Sequence, residues 1–379
     1  LFYVQLDPRP KSGYVPGEEP EEQMTRFDAE ALLRDKRAQR QAVMTAGGAT
    51  IVPESSTLKP FSVDSRYTSA DFFPMFEVPF QYGNPWTAAD DEGRGRVVVL
   101  SKALNDKVFN GANSVGRNLT VSGHSLRVVG VLKAWQPQPR FFDLSFSAYG
   151  QEEDVLMPFS TSVDLKMGST GNMNCFGDGS PDGSSSDLNA PCTWLQYWVE
   201  LDPAKADDFR QYLVNYSDQQ RAAGRFQRPA NTRLSSVMEW LDYKKAVPSD
   251  VRLQVWLALG FLVVCLINTV GLLLAKFLRR SGEIGVRRAL GASRGQIFLQ
   301  CVVEAGAVGV AGGLLGIVLA LIGLYAVRQQ PVEYAKLAHL DGSMLVLAIG
   351  LTLFASLAAG MLPAWRAMQV TPAIQLKSQ

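Results

Sequence analysis

Four cysteines, two histidines and several close carboxylate pairs are the residues of this sequence able to cross-link, bind metal or move protons. Cys175 and Cys192 flank FGDGSPDGSSSDLNAP, a polar run of turn formers. In an oxidising compartment they would close that run as a disulfide, worth about 3 kcal/mol on loop entropy. Cys265 and Cys301 sit within or beside apolar runs, where a thiol packs as a small hydrophobe. His124 and His339 are far apart, and neither stands at ligand spacing from a cysteine or carboxylate, so no metal centre is expected. The stretch nearest a phosphate-binding loop, GANSVGRN at 111–118, lacks the Lys and Ser/Thr that hold phosphate and Mg²⁺ and reads as a turn. No Gly-x-Ser-x-Gly elbow is present. The pairs Asp90/Asp91 and Glu152/Glu153 fall in loop-like sequence and read as solvated. The aromatic clusters at Phe72–Phe76 and Trp194–Trp198 read as core packing rather than a substrate surface. The chain is expected to hold no catalytic centre and no cofactor of its own.

The elements that carry these residues change character near residue 250. The 379 residues are 47% hydrophobic and 19% charged, with 37 Lys and Arg against 36 Asp and Glu. A net charge of +1 excludes the concentrated positive surface of a nucleic-acid binder. Residues 1–250 read as a soluble domain and residues 251–379 as a membrane domain. Three runs reach the roughly 20 residues needed to cross about 30 Å of hydrocarbon: Val255–Leu274, Val302–Val327 and Met344–Leu362. The loop between the first two holds Lys276, Arg279, Arg280, Arg287, Arg288 and Arg294 against one acid, Glu283; the tail holds Arg366 and Lys377. Positive charge marks the cytoplasmic side, so residues 1–250 lie outside, where a Cys175–Cys192 bridge persists. LFYVQLDPRP offers no export signal, so a fourth, N-terminal span is expected ahead of Leu1. Gly309, Gly312, Gly313 and Gly316 give overlapping Gly-x-x-x-Gly spacings, which let a neighbouring helix approach closely. Asn268, alone in the first span with Thr269, is expected to bond locally or to a neighbour.

The outer half alternates strand and helix patterns, which points to an α+β domain. LFYVQLD reads as a strand, TRFDAEALLRDK as a helix, and VVVLSKALNDKVF as a strand entering a helix. NLTVSGHSLRVVGVL reads as a hairpin turning at Ser122-Gly123. EDVLMPFS, WLQYWVEL and TRLSSVMEWL read as strands, and DFRQYLVNYSDQQRAAG as a helix.

Between the first two spans, Glu283 to Leu290 suits a short helix stopped by Gly291, with Ile284, Arg287 and Arg288 on one face. EIGVRRALGASRGQI, followed by VEAGAVGVAGGLLG, closely resembles the FtsX-like and MacB-like permeases of ABC transporters. The tail MLPAWRAMQVTPAIQLKSQ, with Pro363, Ala364, Ala367 and Pro372, resembles their C-terminal ending. SRYTSADFFPMFEVPFQYGNPW, VVVLSKAL and NSVGRNLTVSGHSLRVVGVL resemble the MacB-type periplasmic core domain. The resemblance implies a porter-like part with an inserted lobe at roughly Arg94–Pro191, then an all-α transmembrane domain of four-span plan. It implies that Glu283, Ile284, Gly285, Arg287, Arg288, Leu290 and Gly291 form a coupling helix docking on a separate cytoplasmic ATPase, which binds ATP and Mg. It further implies a multi-pass protein of the bacterial inner membrane, a dimer of permease subunits, and an adaptor and outer-membrane channel beyond it. Efflux or export is the activity it favours. Lipoprotein extraction and signalling to a cell-wall hydrolase or sensor share the architecture.

Overall fold

The computed structural model describes residues 1–53, 58–146, 148–150, 152–176, 184–246, 249–329 and 340–369. Glu333, Lys336, His339, Pro372, Lys377 and the centre of the 175–192 loop lie outside the described residues. The chain divides into two units, residues 1–247 and 248–379.

The outer unit opens with β1 (Phe2–Gln5), β2 (Met24–Thr25), α1 (Arg26–Asp35), β3 (Arg40–Val52) and β4 (Phe61–Thr68). Its middle holds α2 (Phe72–Met75), β5 (Phe80–Gly83), α3 (Ala88–Glu92), β6 (Val97–Leu100), α4 (Lys102–Phe109), β7 (Asn118–Val121) and β8 (His124–Leu132). Then follow β9 (Val155–Pro158), α5 (Phe159–Asp164), β10 (Ser169–Thr170) and β11 (Asn174–Cys175). It closes with β12 (Cys192–Glu200), α6 (Ala206–Ala222), β13 (Arg233–Ser236) and α7 (Val237–Tyr243). The strands join one mixed sheet whose main path runs β13-β1-β12-β3-β4-β9-β6-β8-β5. One side of that path comes from the two ends of the unit. The other, with most of residues 94–191, comes from its middle.

VVVL and Trp194–Val199 are buried on both faces, Gln196 included, because the sheet is covered on both sides. Strand alternation sends Val4, Val98, Leu100, Tyr197 and Val199 into one core, with Ala29 and Leu32 of α1 and Phe209 and Leu213 of α6. Tyr3, Val97, Val99 and Trp198 enter the other, with Phe72 and Phe73 of α2 and Trp240 of α7. The clusters at 72–76 and 194–198 are therefore core. Trp198 is 0% exposed and packs edge-on against Tyr3 at 5.1 Å, so truncation to alanine would cost about 3–5 kcal/mol. The β7–β8 hairpin turns where the sequence indicated, with Ser122 and Gly123 both at positive φ, as a tight hairpin turn requires.

Two segments read as strands change state partway. In TRLSSVMEWL the strand stops at Ser236, whose hydroxyl accepts from Glu239 N while the Glu239 carboxylate accepts from Ser236 N at 2.7 Å. This capping box starts α7, which stacks Trp240 on Tyr3 at 3.9 Å. EDVLMPFS is strand only over Val155–Pro158, and α5 begins at Phe159. The long strands β3 and β4 have no counterpart in the sequence reading. Gly47 and Gly48 weaken the strand pattern of β3, yet Gly47 is needed because the Tyr67 ring of β4 covers its Cα.

The acidic pairs are corrected too. Asp91 turns inward from α3, accepting from Ala70 N at 2.7 Å and Trp86 Nε1 at 2.9 Å. Glu153 is buried and binds the guanidinium groups of Arg66 and Arg140. Arg66 also binds Asp143, which accepts from Gln196 Nε2 at 2.7 Å. Burial works against the Glu153 charge, and the two arginines more than offset it, holding the carboxyl below its usual range.

The second unit has α8 (Ser249–Arg279), α9 (Ser281–Ala289), α10 (Arg294–Arg328) and α11 (Gly342–Met368). Three of these are long and apolar enough to cross a membrane. Leu257, Phe261, Leu319 and Phe354 stand 65–71% exposed on their outer faces, as side chains that meet lipid do. α10 and α11 meet through small residues in antiparallel order. A Cβ on Gly309 would strike Ser356, one on Gly313 would press Thr352 at 3.1 Å, and one on Gly360 would strike Ala305. Gly312 and Gly316 have nothing within 4 Å.

Candidate functional site

The basic loop folds as the sequence pattern requires. α9 runs from Ser281, Leu290 caps it, and Gly291 takes φ +105°, a conformation glycine adopts without strain. The Gly291 and Ala292 N–H groups donate back to the carbonyls of Arg288 and Arg287 at 3.2 and 3.0 Å. α10 then starts on a capping box between Ser293 and Gln296. These stops make α9 a separate rigid rod between two spans.

Its inner face is a seat. Ile284 is 8% exposed, packed among Leu273 and Phe277 of α8, Ile297 and Cys301 of α10, and Ala364 and Ala367 of α11. Arg288 reaches the Met368 carbonyl at 3.4 Å. Arg287 ties Glu283 at 2.6 Å to Gln300 at 3.0 Å. Glu304 binds Lys276 and lies 3.3 Å from Arg280, joining the end of α8 to α10. Pro363, Ala364 and Ala367 of the tail motif are all buried.

Ile284 and Gly285, expected on the docking face, are therefore buried in the chain, and Arg288 is half-turned inward. Helical geometry places only part of a nine-residue helix outward when three spans grip the rest. The exposed ridge is Glu283, Val286, Arg287 and Leu290, with Gly291 exposed at its end; Val286 is 56% and Leu290 84% exposed. Val286 was missed, although its spacing of four from Leu290 was available as a signal. An apolar pair flanked by an acid and a base is thus left exposed along one side of α9.

In the outer unit, Cys175 and Cys192 are joined as a disulfide between β11 and β12. Cys265 and Cys301 are free thiols in the membrane unit. Among the described residues no group of side chains is placed to hold a metal ion. His124 is exposed beside the hairpin turn.

Residues 1–215 match the MacB-like periplasmic core domain, and residues 255–372 match the FtsX-like permease C-terminal domain. The chain belongs to the MacB-like permease family. It is thus an ABC-transporter permease-type protein of the inner membrane, with a periplasmic α/β domain followed by three apolar helices. MacB-like relatives include the macrolide export ATP-binding/permease protein MacB of Salmonella paratyphi A, 26% identical over 69% of this chain and 35% of that protein. The pyoverdine export ATP-binding/permease protein PvdT of Pseudomonas aeruginosa is 25% identical over 82% of this chain and 42% of that one. This chain spans about a third to a half of the curated relatives it matches. The crystal structure of the periplasmic region of MacB from Actinobacillus actinomycetemcomitans aligns with 62% of this chain and 88% of that one, at a TM-score of 0.39 and 13% identity.

Proposed function

We propose that this chain is the permease subunit of a MacB-type export system, driven by a separate cytoplasmic ATPase that binds ATP and Mg and docks on the outer ridge of α9. The observation that carries this reading is the division of α9 into a gripped inner face and an exposed Glu283–Val286–Arg287–Leu290 ridge. A push on that ridge reaches α8, α10 and α11 together through Ile284, Arg287 and Arg288. Relatives named for macrolide and pyoverdine export support outward movement of a substrate. Two ATPase subunits call for two permease subunits. Asn268 stands exposed within α8, a position where a polar side chain in hydrocarbon favours a protein neighbour. A periplasmic adaptor and an outer-membrane channel would complete the path.

The test is affinity purification of the chain from its host with Arg287→Glu and Leu290→Glu together. An ABC ATPase is expected with the wild type and about tenfold less of it with the variant, while both insert in the membrane equally. Unchanged ATPase recovery with the variant, or none with the wild type, overturns the docking assignment.

A further inference from the structure

A cleft of about 800 Å³ opens in the outer unit between α1, α3 and α5. Pockets that enclose drug-sized molecules run from about 300 to 1,000 Å³, so this one has room for such a guest. Leu33 of α1, Val43 of β3 and Val163 of α5 give it an apolar wall.

The charges around it are unevenly balanced. At the rim Arg26 pairs with Glu30 at 2.7 Å and Lys36 with Glu92 at 3.5 Å, while Asp164 takes both Arg94 at 3.0 Å and Arg96 at 2.7 Å. That leaves Arg34, which is exposed and screened by water, and the half-buried carboxylates Asp71 and Asp91. Among the described residues neither carboxylate has an ion-pair partner. Neutral donors hold them instead: Gln41 N on Asp71 Oδ2 at 2.9 Å, and Ala70 N with Trp86 Nε1 on Asp91. These bonds fix two like charges beside one backbone turn; the nearest further cation to act on Asp71 is the exposed Arg40, already paired with Glu200 at 2.7 Å. Burial first, then the charges of Asp71 and Asp90, push Asp91 up to about 6. A positive group entering the cleft would remove that repulsion.

A hard divalent ion favours several converging carboxylates, and no group of three or more acidic, histidine or cysteine side chains is placed to hold one among the described residues. An anion would meet the carboxylates. An organic cation satisfies both surfaces, its charge at the acids and its carbon body on the wall.

We propose that this cleft is a binding site for an organic monocation with an apolar body, seated between Asp71 and Asp91 on one side and Leu33, Val43 and Val163 on the other. The site is independent of ATPase docking on α9 and stands or falls on binding alone.

The experiment is equilibrium dialysis of radiolabelled tetraphenylphosphonium against the full chain in lipid nanodiscs, with empty nanodiscs as baseline, at a pH well above the Asp91 value. Saturable binding of one cation per chain above baseline is expected. Asp71→Asn with Asp91→Asn should weaken it about tenfold, the loss of charge-assisted contacts. Val163→Trp, which fills the cleft and leaves both acids intact, should weaken it comparably. A wild-type-like thermal melt followed by far-ultraviolet circular dichroism and an intact Cys175–Cys192 bridge show that each variant is folded. Tetraphenylborate, of the same shape and opposite charge, should show no chain-specific binding. No excess over empty nanodiscs, unchanged binding in either folded variant, or equal binding of the borate overturns the site.

Discussion

Glu152 and Glu153 are neighbours with opposite fates. Glu153 lies between Arg66 and Arg140, whereas Glu152 is half-buried with its Oε1 lacking any hydrogen-bond partner. Burial, then the charges of Glu153 and Asp154, push Glu152 up to about 7. The folded chain therefore keeps this proton until about pH 7, while an unfolded glutamate releases it near pH 4.3. Between those values the folded state binds more protons, so stability falls as pH rises through the window. Glu152→Gln removes that loss. It should stabilise the outer unit at about pH 8 by on the order of 1 kcal/mol, a figure reduced for partial exposure, and match the wild type at about pH 4. Tryptophan-fluorescence melts read this directly, because Trp86, Trp135, Trp194, Trp198 and Trp240 all lie in the outer unit. Equal offsets at both pH values would sink the idea. The sequence could not separate the two glutamates, since Arg66 is 87 residues from Glu153 and no local pattern records that pairing.

At the scale of elements, legibility followed how local the determining interaction is. The β7–β8 hairpin was readable because Ser122-Gly123 decides it within two residues. α7 was misread because its capping box and its packing of Trp240 on Tyr3 outweigh the β-like composition of TRLSSVMEWL. The glycines of α10 were readable as a stripe but not as a direction. Gly309 and Gly313 face Ser356 and Thr352, while Gly312 and Gly316, one residue before or three after, face open space. Only the partner helix makes that choice. Gly309→Leu should force α10 from α11 and cost about 1–3 kcal/mol, seen as a lower melting temperature of the chain in detergent. Gly312→Leu, with nothing in this chain to strike, should melt with the wild type. Equal destabilisation by both variants would mean that the helices pair on another face.

The whole molecule is organised by one asymmetry, and it was the most legible feature of all. Basic residues crowd the short connection that folds into α9, and the other large part of the chain is an α/β unit with its own two cores. Charge bias fixes which way such a chain inserts, because Lys and Arg near span ends resist translocation. What the sequence could not show is which residues of α9 remain available once three spans close on it; that needs the seat around Ile284. Orientation and seat are tested together by single cysteines at Ser122, on the exposed hairpin tip, and at Ala289, exposed on α9. Background labelling is low, since Cys175 and Cys192 are bonded, Cys301 is buried and Cys265 lies within a span. A membrane-impermeant maleimide, applied to cells with only the outer membrane opened, should label Ser122→Cys and leave Ala289→Cys untouched. Breaking the inner membrane should then expose Ala289→Cys, whereas Ile284→Cys should react slowly in both preparations because its side chain is held inside the bundle. Labelling of Ala289→Cys from outside would invert the topology and remove α9 from any cytoplasmic ATPase. Fast labelling of Ile284→Cys after lysis would leave the orientation standing and refute the seat through which α9 is taken to move the spans.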